Sequence, residues 1–562
     1  LAPPAVRSAA RSALWLLPPF AAGAALRLFH LAPQVLDGDE IHAVRAAVSM
    51  PLATILTTYQ ESDNCIPLTA LFRLCLAAGV RLSELGFRSP SIVCGLLLLA
   101  LLPLGILRRQ PRLTRLPQGV AVVFAWLLAL SPLLVFYSRI ARSYLPMTLC
   151  ALAAAAAFAA WWRTLRPTFA VAYVLLGGLA VWLHLGAAPI VGAPFLFAAG
   201  DLAWGRKDER LRRLSSLAFL AGGIALALAA FLIPARESLW GMIAEKRQAQ
   251  VIPRETIADV LTLQAGTAST ALAILFWLAV LGGLAALLAY DRRLGLYTFT
   301  LGAVQLVGIR LLSPLGLANP LILDRYLLPV LPLLLLWVAC ALALPWRSPT
   351  RSTGWGTRGA VVQGLLATVF LLFLAVCGPL ADRTLWASSF MHQDDFLSFY
   401  APRPVLAPEA VPWPYEEMAK AAGAGAVIEY PWSSFAGLRT LYLYQEVHGR
   451  RVKVSGPQRL LFDPEIALTN VVPPGPEGFC SSGARFLAVH LRIAHEEDQI
   501  VAPEEARLGE REMRPDLRRT LNDQAEAMAQ SLTDLWGDPT WAAPSLRFWD
   551  LEVACQRPKG RR

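Results

Sequence analysis

Charge is scarce in this chain. Of 562 residues only 16% are Asp, Glu, Lys or Arg, well below the usual quarter of a soluble protein. Histidine is rare too, with 7 residues, and the 8 cysteines are spread thinly. No Cys/His spacing resembles a zinc site. No basic patch is interleaved with aromatics, which argues against nucleic acid as partner despite the net charge of +11. No internal repeat stands out, and the first apolar run has no small-x-small cleavage site, so it reads as a retained helix.

Apolar length is what the chain has. It is 56% hydrophobic, with a mean hydropathy of +0.49. Runs of roughly 18 to 22 apolar residues, long enough to cross a bilayer as helices, recur up to about residue 379. Eleven candidate spans follow: 12–32, 90–107, 117–136, 144–162, 168–184, 186–204, 214–233, 267–289, 295–312, 327–346 and 360–379. With Arg7 and Arg11 cytoplasmic, each loop reached by an even-numbered span is basic: Arg108 to Arg115, Arg163 with Arg166, Arg206 to Arg213, Arg292-Arg293, and Arg347 to Arg358. That is the positive-inside pattern, and it explains the net charge. The odd count sends the C-terminal segment outside.

Residues 66–80 are apolar but short and contain Arg73, so they read as an amphipathic or re-entrant helix at the outer surface. The first outer loop then runs from about 33 to 89. The expected division is a membrane module over 1–382 and a water-exposed α/β domain over 383–562, joined by a Pro-rich linker at 401–414. Strands are expected at Ala426–Tyr430, Phe486–His490 and Phe548–Val553, and a charged helix within 502–535. Cys480 and Cys555, the two cysteines of the tail, are candidates for a disulfide in an oxidising compartment.

Candidate chemistry gathers at predicted outer span ends. Asp39-Glu40 follows the first span. It reads either as a solvated acidic turn or as a general base at a membrane cavity, where partial burial raises a carboxylate's pKa. Tyr137-Ser138-Arg139 with Arg142-Ser143-Tyr144 follows the third span, and Asp324-Arg325-Tyr326-Leu327-Leu328-Pro329 precedes the tenth. Arginine and tyrosine there read either as headgroup snorkelling or as a phosphate site. His184, at the outer end of the fifth span, is a packing residue or a polar ligand contact.

The order of these clusters, with Arg88-Ser89-Pro90-Ser91 and Ser131-Pro132, resembles the GT-C membrane glycosyltransferases over about residues 14–346. The branch is that of the protein O-mannosyltransferases and the lipid A aminoarabinose transferases, glycosyltransferase family 39. The resemblance implies an inverting enzyme that takes a sugar from a polyprenyl-phosphate carrier to a cell-envelope acceptor, at the outer face of a bacterial inner membrane. It implies Asp39 as base and Glu40 as its neighbour orienting base or acceptor. It also implies Arg88, Arg139, Arg142 and Arg325 with Tyr326 at the carrier phosphate. Tyr137, Tyr144 and His184 are further cavity candidates. No cofactor is required, and a divalent metal at the carboxylates stays open. The family's His-Pro-Pro-Leu or Lys-Pro-Pro-Leu element is Asp63-Asn64-Cys65-Ile66-Pro67-Leu68 here, without the basic residue. The tail segments Ile428-Glu429-Tyr430-Pro431-Trp432 and Tyr444-Gln445-x-x-His448-Gly449-Arg450 are similar to tails of bacterial relatives and suggest an acceptor or partner surface. Two other classes compete: a flippase for lipid-linked glycans, and a degenerate membrane-anchored binding protein. A flippase needs polar or charged residues in mid-span, or paired broken helices, whereas the predicted span interiors are nearly free of charge and the polar groups gather at the outer ends.

Overall fold

The computed structural model describes residues 14–36, 39–59, 64–107, 116–203, 207–247, 251–344, 355–381, 386, 405–406, 411–423, 425–432, 440–456, 463, 465–492, 500–501 and 515–556. The expected cytoplasmic loop at 108–115, most of that at 347–358, Arg7, Arg11, Asp37 and Asp63 lie outside the described residues. Contacts divide the chain into two compact units. The first comprises Leu1–Phe29, Pro51–Ala70 and Arg88–Ala381, and the second His30–Met50, Leu71–Phe87 and Asp382–Arg562.

The first unit is helical. Its main elements are α1 (Leu17–Leu28), α5 (Glu84–Leu107, whose first turn belongs to the second unit), α6 (Gln118–Leu130), α7 (Pro132–Ser138), α8 (Tyr144–Thr164), α9 (Pro167–Leu183), α10 (Ala188–Ala203), α11 (Lys207–Leu232), α12 (Arg236–Lys246), α13 (Arg254–Ala265), α14 (Thr270–Tyr290), α15 (Arg292–Leu312), α16 (Pro320–Leu327), α17 (Leu331–Ala343) and α18 (Trp355–Val376). Proline opens α7, α9 and α16, where its missing N–H costs nothing and its φ suits a helix. Alanine dominates the middle of α8, the best helix former and the smallest side chain at a helix contact. Close approach is starkest where α14 meets α17: a Cβ on Gly283 would lie 1.7 Å from the carbonyl oxygen of Trp337.

Among the described residues, six helices are long and apolar enough to cross a membrane, or up to eight if each of two bent pairs is one span. This is the pattern of a multi-pass membrane protein, with fewer full-length spans than the eleven expected. Proline accounts for part of the difference. The expected span at 117–136 breaks at Ser131-Pro132 into α6 and α7, bent by 59°, and the one at 327–346 is the shorter α17, whose axis turns by 74° from the preceding α16 across Leu328–Val330. Other expected spans are short helices, such as α1 with 12 residues and α9 with 17. Ile66–Ala77 (α4) is likewise a 12-residue apolar helix.

The second unit holds α2 (Asp39–Ser49), most of α4 and a five-stranded sheet in the order β3-β2-β4-β7-β6. Its strands are β2 (Ala426–Tyr430), β3 (Val452–Val454), β4 (Ala484–His490), β6 (Trp541–Ala543) and β7 (Leu546–Asp550). A separate antiparallel pair joins β1 (Val405–Leu406) to β5 (Ile500–Val501). In the main sheet β3, β2 and β4 run parallel, and β7 and β6 antiparallel. Period-2 alternation sorts the side chains. Ile428, Tyr430, Leu487, Val489 and Trp549 pack with Phe479 of α21 (Pro476–Ser481) and with Ala525, Ala529 and Leu532 of α22 (Pro515–Trp536). A disulfide joins Cys480 to Cys555, with Cα atoms 5.7 Å apart.

The loop segments of this unit are held to its tail by hydrogen bonds. The Glu84 carboxylate accepts from the backbone N–H groups of Thr469 at 2.8 Å and Asn470 at 2.7 Å. Asn470 Nδ2 donates to the Ala32 carbonyl at 2.9 Å. Arg73 meets Glu465 at 3.3 Å.

Candidate functional site

The broken spans create the site. A helix that stops inside a membrane leaves backbone groups and polar side chains that need protein partners. Between α7 and α8 the chain runs through Arg139–Ser143 without helix, and every residue of that turn is buried. Ser91 Oγ of α5 donates to the Arg142 carbonyl at 2.8 Å, and Ser143 Oγ lies 2.9 Å from Cys65 Sγ.

Four side chains meet around Tyr144, at the first position of α8, and a fifth, Tyr326, packs on His184 beside it. Arg325 Nη1 donates to the Tyr144 hydroxyl at 2.7 Å, with its guanidinium carbon 5.6 Å from the ring centroid. The Arg142 guanidinium stands 6.0 Å from the same centroid. His184 lies 5.5 Å from Tyr144 and 5.3 Å from Tyr326, ring to ring. The Tyr137 ring is 5.3 Å from Tyr144, and its hydroxyl donates to the Leu321 carbonyl at 3.4 Å. The charges of Arg325, Arg142 and Lys246 all bear on His184. His184 Nδ1 accepts from the Gly186 N–H at 3.1 Å, which leaves the neutral ring its proton on Nε2.

Segment α16 presents Arg325 and Tyr326 because its other side is anchored. Asn319 caps it, accepting from Leu321 N and Ile322 N at 3.0 and 3.3 Å. Leu323 and Leu327, one turn apart, pack with Val260, Ile309 and Leu317. The buried Asp324 carboxylate accepts from Gln264 Nε2 of α13. Gln305 of α15 donates to the carbonyls of Tyr326 and Gly186, both at 2.8 Å. Lys246, Gln264 and Gln305 were not singled out from the sequence. A cation in an expected outer loop and single glutamines beside or within apolar runs were the signals.

Two further arginines have a different occupation. Arg139 Nη1 donates to the carbonyls of Leu26, Arg27 and Phe29 at 3.0, 3.3 and 2.6 Å, satisfying the open C-terminal end of α1. Arg88 is buried and near enough to Arg139 for their charges to repel. Arg27, also buried, donates to Gly23, Leu128 and Ser138 and ties α1 to the α6–α7 break.

Asp39 and Glu40 belong to the second unit. They fill the first turn of α2, where the helix dipole favours negative charge. Asp39 is half-buried and Glu40 is buried. No group of three or more His, Cys, Asp or Glu gathers as a metal site among the described residues.

The second unit has a polar cluster of its own. Glu429 Oε2 accepts from the Tyr415 hydroxyl at 2.9 Å and lies 2.7 Å from His490 Nε2, with both side chains fully buried. Tyr444 and His448 stack on Tyr415, with centroids at 4.5 and 5.6 Å. Burial, and then the Arg450 charge, push His448 down to about 3. Arg450 donates to the carbonyls of Met418, Ala421 and Gly423, closing the end of α19 (Trp413–Lys420) much as Arg139 closes α1.

No protein-family model matches the chain, and no curated protein matches it. Solved structures are similar to it at a low level. ArnT from Cupriavidus metallidurans bound to undecaprenyl phosphate superposes with a TM-score of 0.40 at 13% identity, over 85% of this chain and 93% of that one. The same protein in the apo state gives 0.39 and 13%, over 84% and 92%. The arabinofuranosyltransferase AftD from Mycobacteria gives 0.38 and 16%, over 96% of this chain but only 41% of that much longer one.

Proposed function

We propose that the protein is a membrane glycosyltransferase that takes a sugar from a polyprenyl-phosphate carrier. The observation that carries this reading is the gathering of Arg142 and Arg325 around Tyr144, with His184 and Tyr326 beside them, at a break in apolar helices. Arginines at such a break can donate charge-assisted hydrogen bonds to an anion. In a membrane, the phosphate of a lipid carrier is an anion that such a bundle meets, and guanidinium groups match its geometry. The motifs that resemble the GT-C transferases fall on the same residues.

In the reaction, an acceptor hydroxyl or amine attacks the anomeric carbon while the bond from that carbon to the carrier phosphate oxygen breaks. The phosphate leaves with the electron pair, and Arg142 and Arg325 stabilise the growing charge. Tyr144 holds Arg325 in place, and His184 and Tyr326 line the sugar's side of the cluster. Asp39 takes the acceptor's proton and Glu40 orients it. Attack from the face opposite the leaving phosphate inverts the anomeric centre. Arg139 and Arg88 act as a supporting layer. The disulfide in the second unit fits an extracytoplasmic location, with the sugar delivered to a cell-envelope lipid, glycan or protein.

The test is sugar transfer by the purified full chain, with a panel of radiolabelled polyprenyl-phosphate sugars and membrane extract as acceptor. Arg325→Gln is expected to lower transfer by about a hundredfold or more, the scale of losing one charge-stabilising donor. Asp39→Asn is expected to abolish transfer while donor binding persists. Absence of transfer with every donor, from folded wild-type protein, would overturn the reading.

A further inference from the structure

Gln305 is a fully buried amide on α15, between Ala303-Val304 and Leu306-Val307 in sequence. Burying such a group costs free energy unless its hydrogen bonds are made. Here they are made. Its Oε1 accepts from the Ile190 N–H at 2.9 Å, and its Nε2 donates to the carbonyls of Gly186 and Tyr326, both at 2.8 Å.

The choice of partners has a reason. In a continuous helix the Ile190 N–H would bond to the carbonyl four residues back, which is that of Gly186. The chain leaves the helical path between α9 and α10 at His184, whose backbone is extended (φ −162°, ψ 118°). The Gln305 amide stands between the two groups and bridges them from a neighbouring helix. A side chain inserted into the ladder is one way a sharp helix break is held. The other amide proton serves the Tyr326 carbonyl, at the open C-terminal end of α16. Gly308, one turn further along α15, permits the approach: a Cβ there would lie 2.4 Å from the Pro189 Cβ.

The two segments that Gln305 joins carry His184 and Tyr326, whose ring centroids are 5.3 Å apart. Gly186 lies against both rings. A Cβ on it would be 2.7 Å from Tyr326 Cδ1 and 2.9 Å from His184 Nδ1. Because Nδ1 accepts from the Gly186 N–H, the neutral imidazole presents its Nε2–H as a donor, on a half-buried side chain. An N–H donor beside an aromatic face suits a sugar, which offers hydroxyl oxygens and an apolar C–H face.

We propose that Gln305 is a positioning residue that sets the specificity for the donor sugar. It locks the His184 turn to the end of α16, so that His184 Nε2–H donates to one hydroxyl oxygen of the sugar while the Tyr326 ring covers the adjacent C–H face. This role rests on the transferase reading proposed above, and it separates the groups that read the sugar from the arginines at the carrier phosphate. A donor lacking that oxygen leaves the N–H without a partner and is rejected. The phosphate side is held by other bonds, Arg325 to Tyr144 and the Asn319 cap of α16, and outlasts the loss of Gln305.

The experiment makes two measurements on the purified full chain in nanodiscs: binding of bare polyprenyl phosphate, and steady-state transfer from polyprenyl-phosphate sugars set beside analogues that each lack one hydroxyl. Wild type is expected to favour its best donor over one of those analogues by about a hundredfold or more. Gln305→Leu is expected to lower kcat by about a hundredfold, the scale of a misplacement of roughly 1 Å, and to erase most of that preference, while bare polyprenyl phosphate binds as in wild type. Gly186→Ala keeps the amide but wedges the two rings, and is expected to show the same split. A wild type indifferent to every missing hydroxyl overturns the proposal. So do wild-type kcat and preference in the variants, or a loss of carrier binding in step with transfer. Should Gln305→Leu not fold, Gly186→Ala and Gln305→Glu, which as a neutral acid keeps the acceptor and one donor, decide by the same criteria. Absence of transfer by wild type from every donor instead overturns the transferase reading, and this role with it.

Discussion

The two units bury charge in opposite ways. In the second unit the buried Glu429 carboxylate sits against His490 and Tyr415, and Arg450 is spread over backbone carbonyls at a helix end. Hydroxyl, imidazole and carbonyl groups are the partners there. In the first unit, Arg27 and Arg139 do the same work for α1. Arg142 and Arg325 are placed differently, against the Tyr144 ring with His184 beside it. Burial alone therefore does not distinguish a functional charge from a structural one. The groups it touches do.

That contrast can be broken by mutation. The largest stability loss is expected for Glu429→Ala, which strands His490 and Tyr415 in the interior and lowers the second unit's stability by about 3–5 kcal/mol, read by chemical denaturation. Cys480→Ser opens a link between residues 75 apart and is expected to cost about 4 kcal/mol, read by the same method. Arg139→Gln is expected to destabilise the first unit by about 3 kcal/mol through lost charge-assisted hydrogen bonds, while activity per folded molecule stays near wild type. Arg142→Gln is expected to do the reverse, with a similar melting temperature and transfer down by about a hundredfold. If both arginine variants lost activity and stability together, the contrast would fail.

A further effect is one of pH. His448 has a folded pKa pushed from its ordinary 6.5 to about 3. The unfolded chain therefore binds a proton there that the folded unit refuses. The contribution is full above about pH 6.5 and is lost as pH falls toward 3, by up to about 1.4 kcal/mol per pH unit. His448→Leu is expected to flatten that slope in a denaturation series between pH 6 and pH 4.

Much of the candidate site was legible in sequence because interfacial arginine and tyrosine are conspicuous in an apolar chain. Arg142, Tyr144, Arg325, Tyr326, Tyr137 and His184 come from widely separated segments, and the structure brings them into one cluster. What hydropathy could not show was where helices break. A sliding window reads 117–136 as one span, whereas Pro132 bends it by 59°. Nor could it separate Arg139 from Arg142, three residues apart, since only the carbonyls at the end of α1 tell them apart. Lys246, Gln264 and Gln305 went unmarked because their meaning lies wholly in what they touch.

The sequence by itself determined that the chain is apolar enough for several membrane helices, that polar chemistry collects at their ends, and that the tail alternates like a sheet. Those are properties of composition and period, local to each segment. The tertiary structure alone decided which arginines are spread over carbonyls at helix ends and which gather around Tyr144. It also placed segments of the first loop in the same unit as the tail and set the Gln305 amide into the helix break at His184. The reason is physical: a side chain's electrostatic and packing energy depends on neighbours a few ångströms away, and in this chain those neighbours come from segments more than a hundred residues apart.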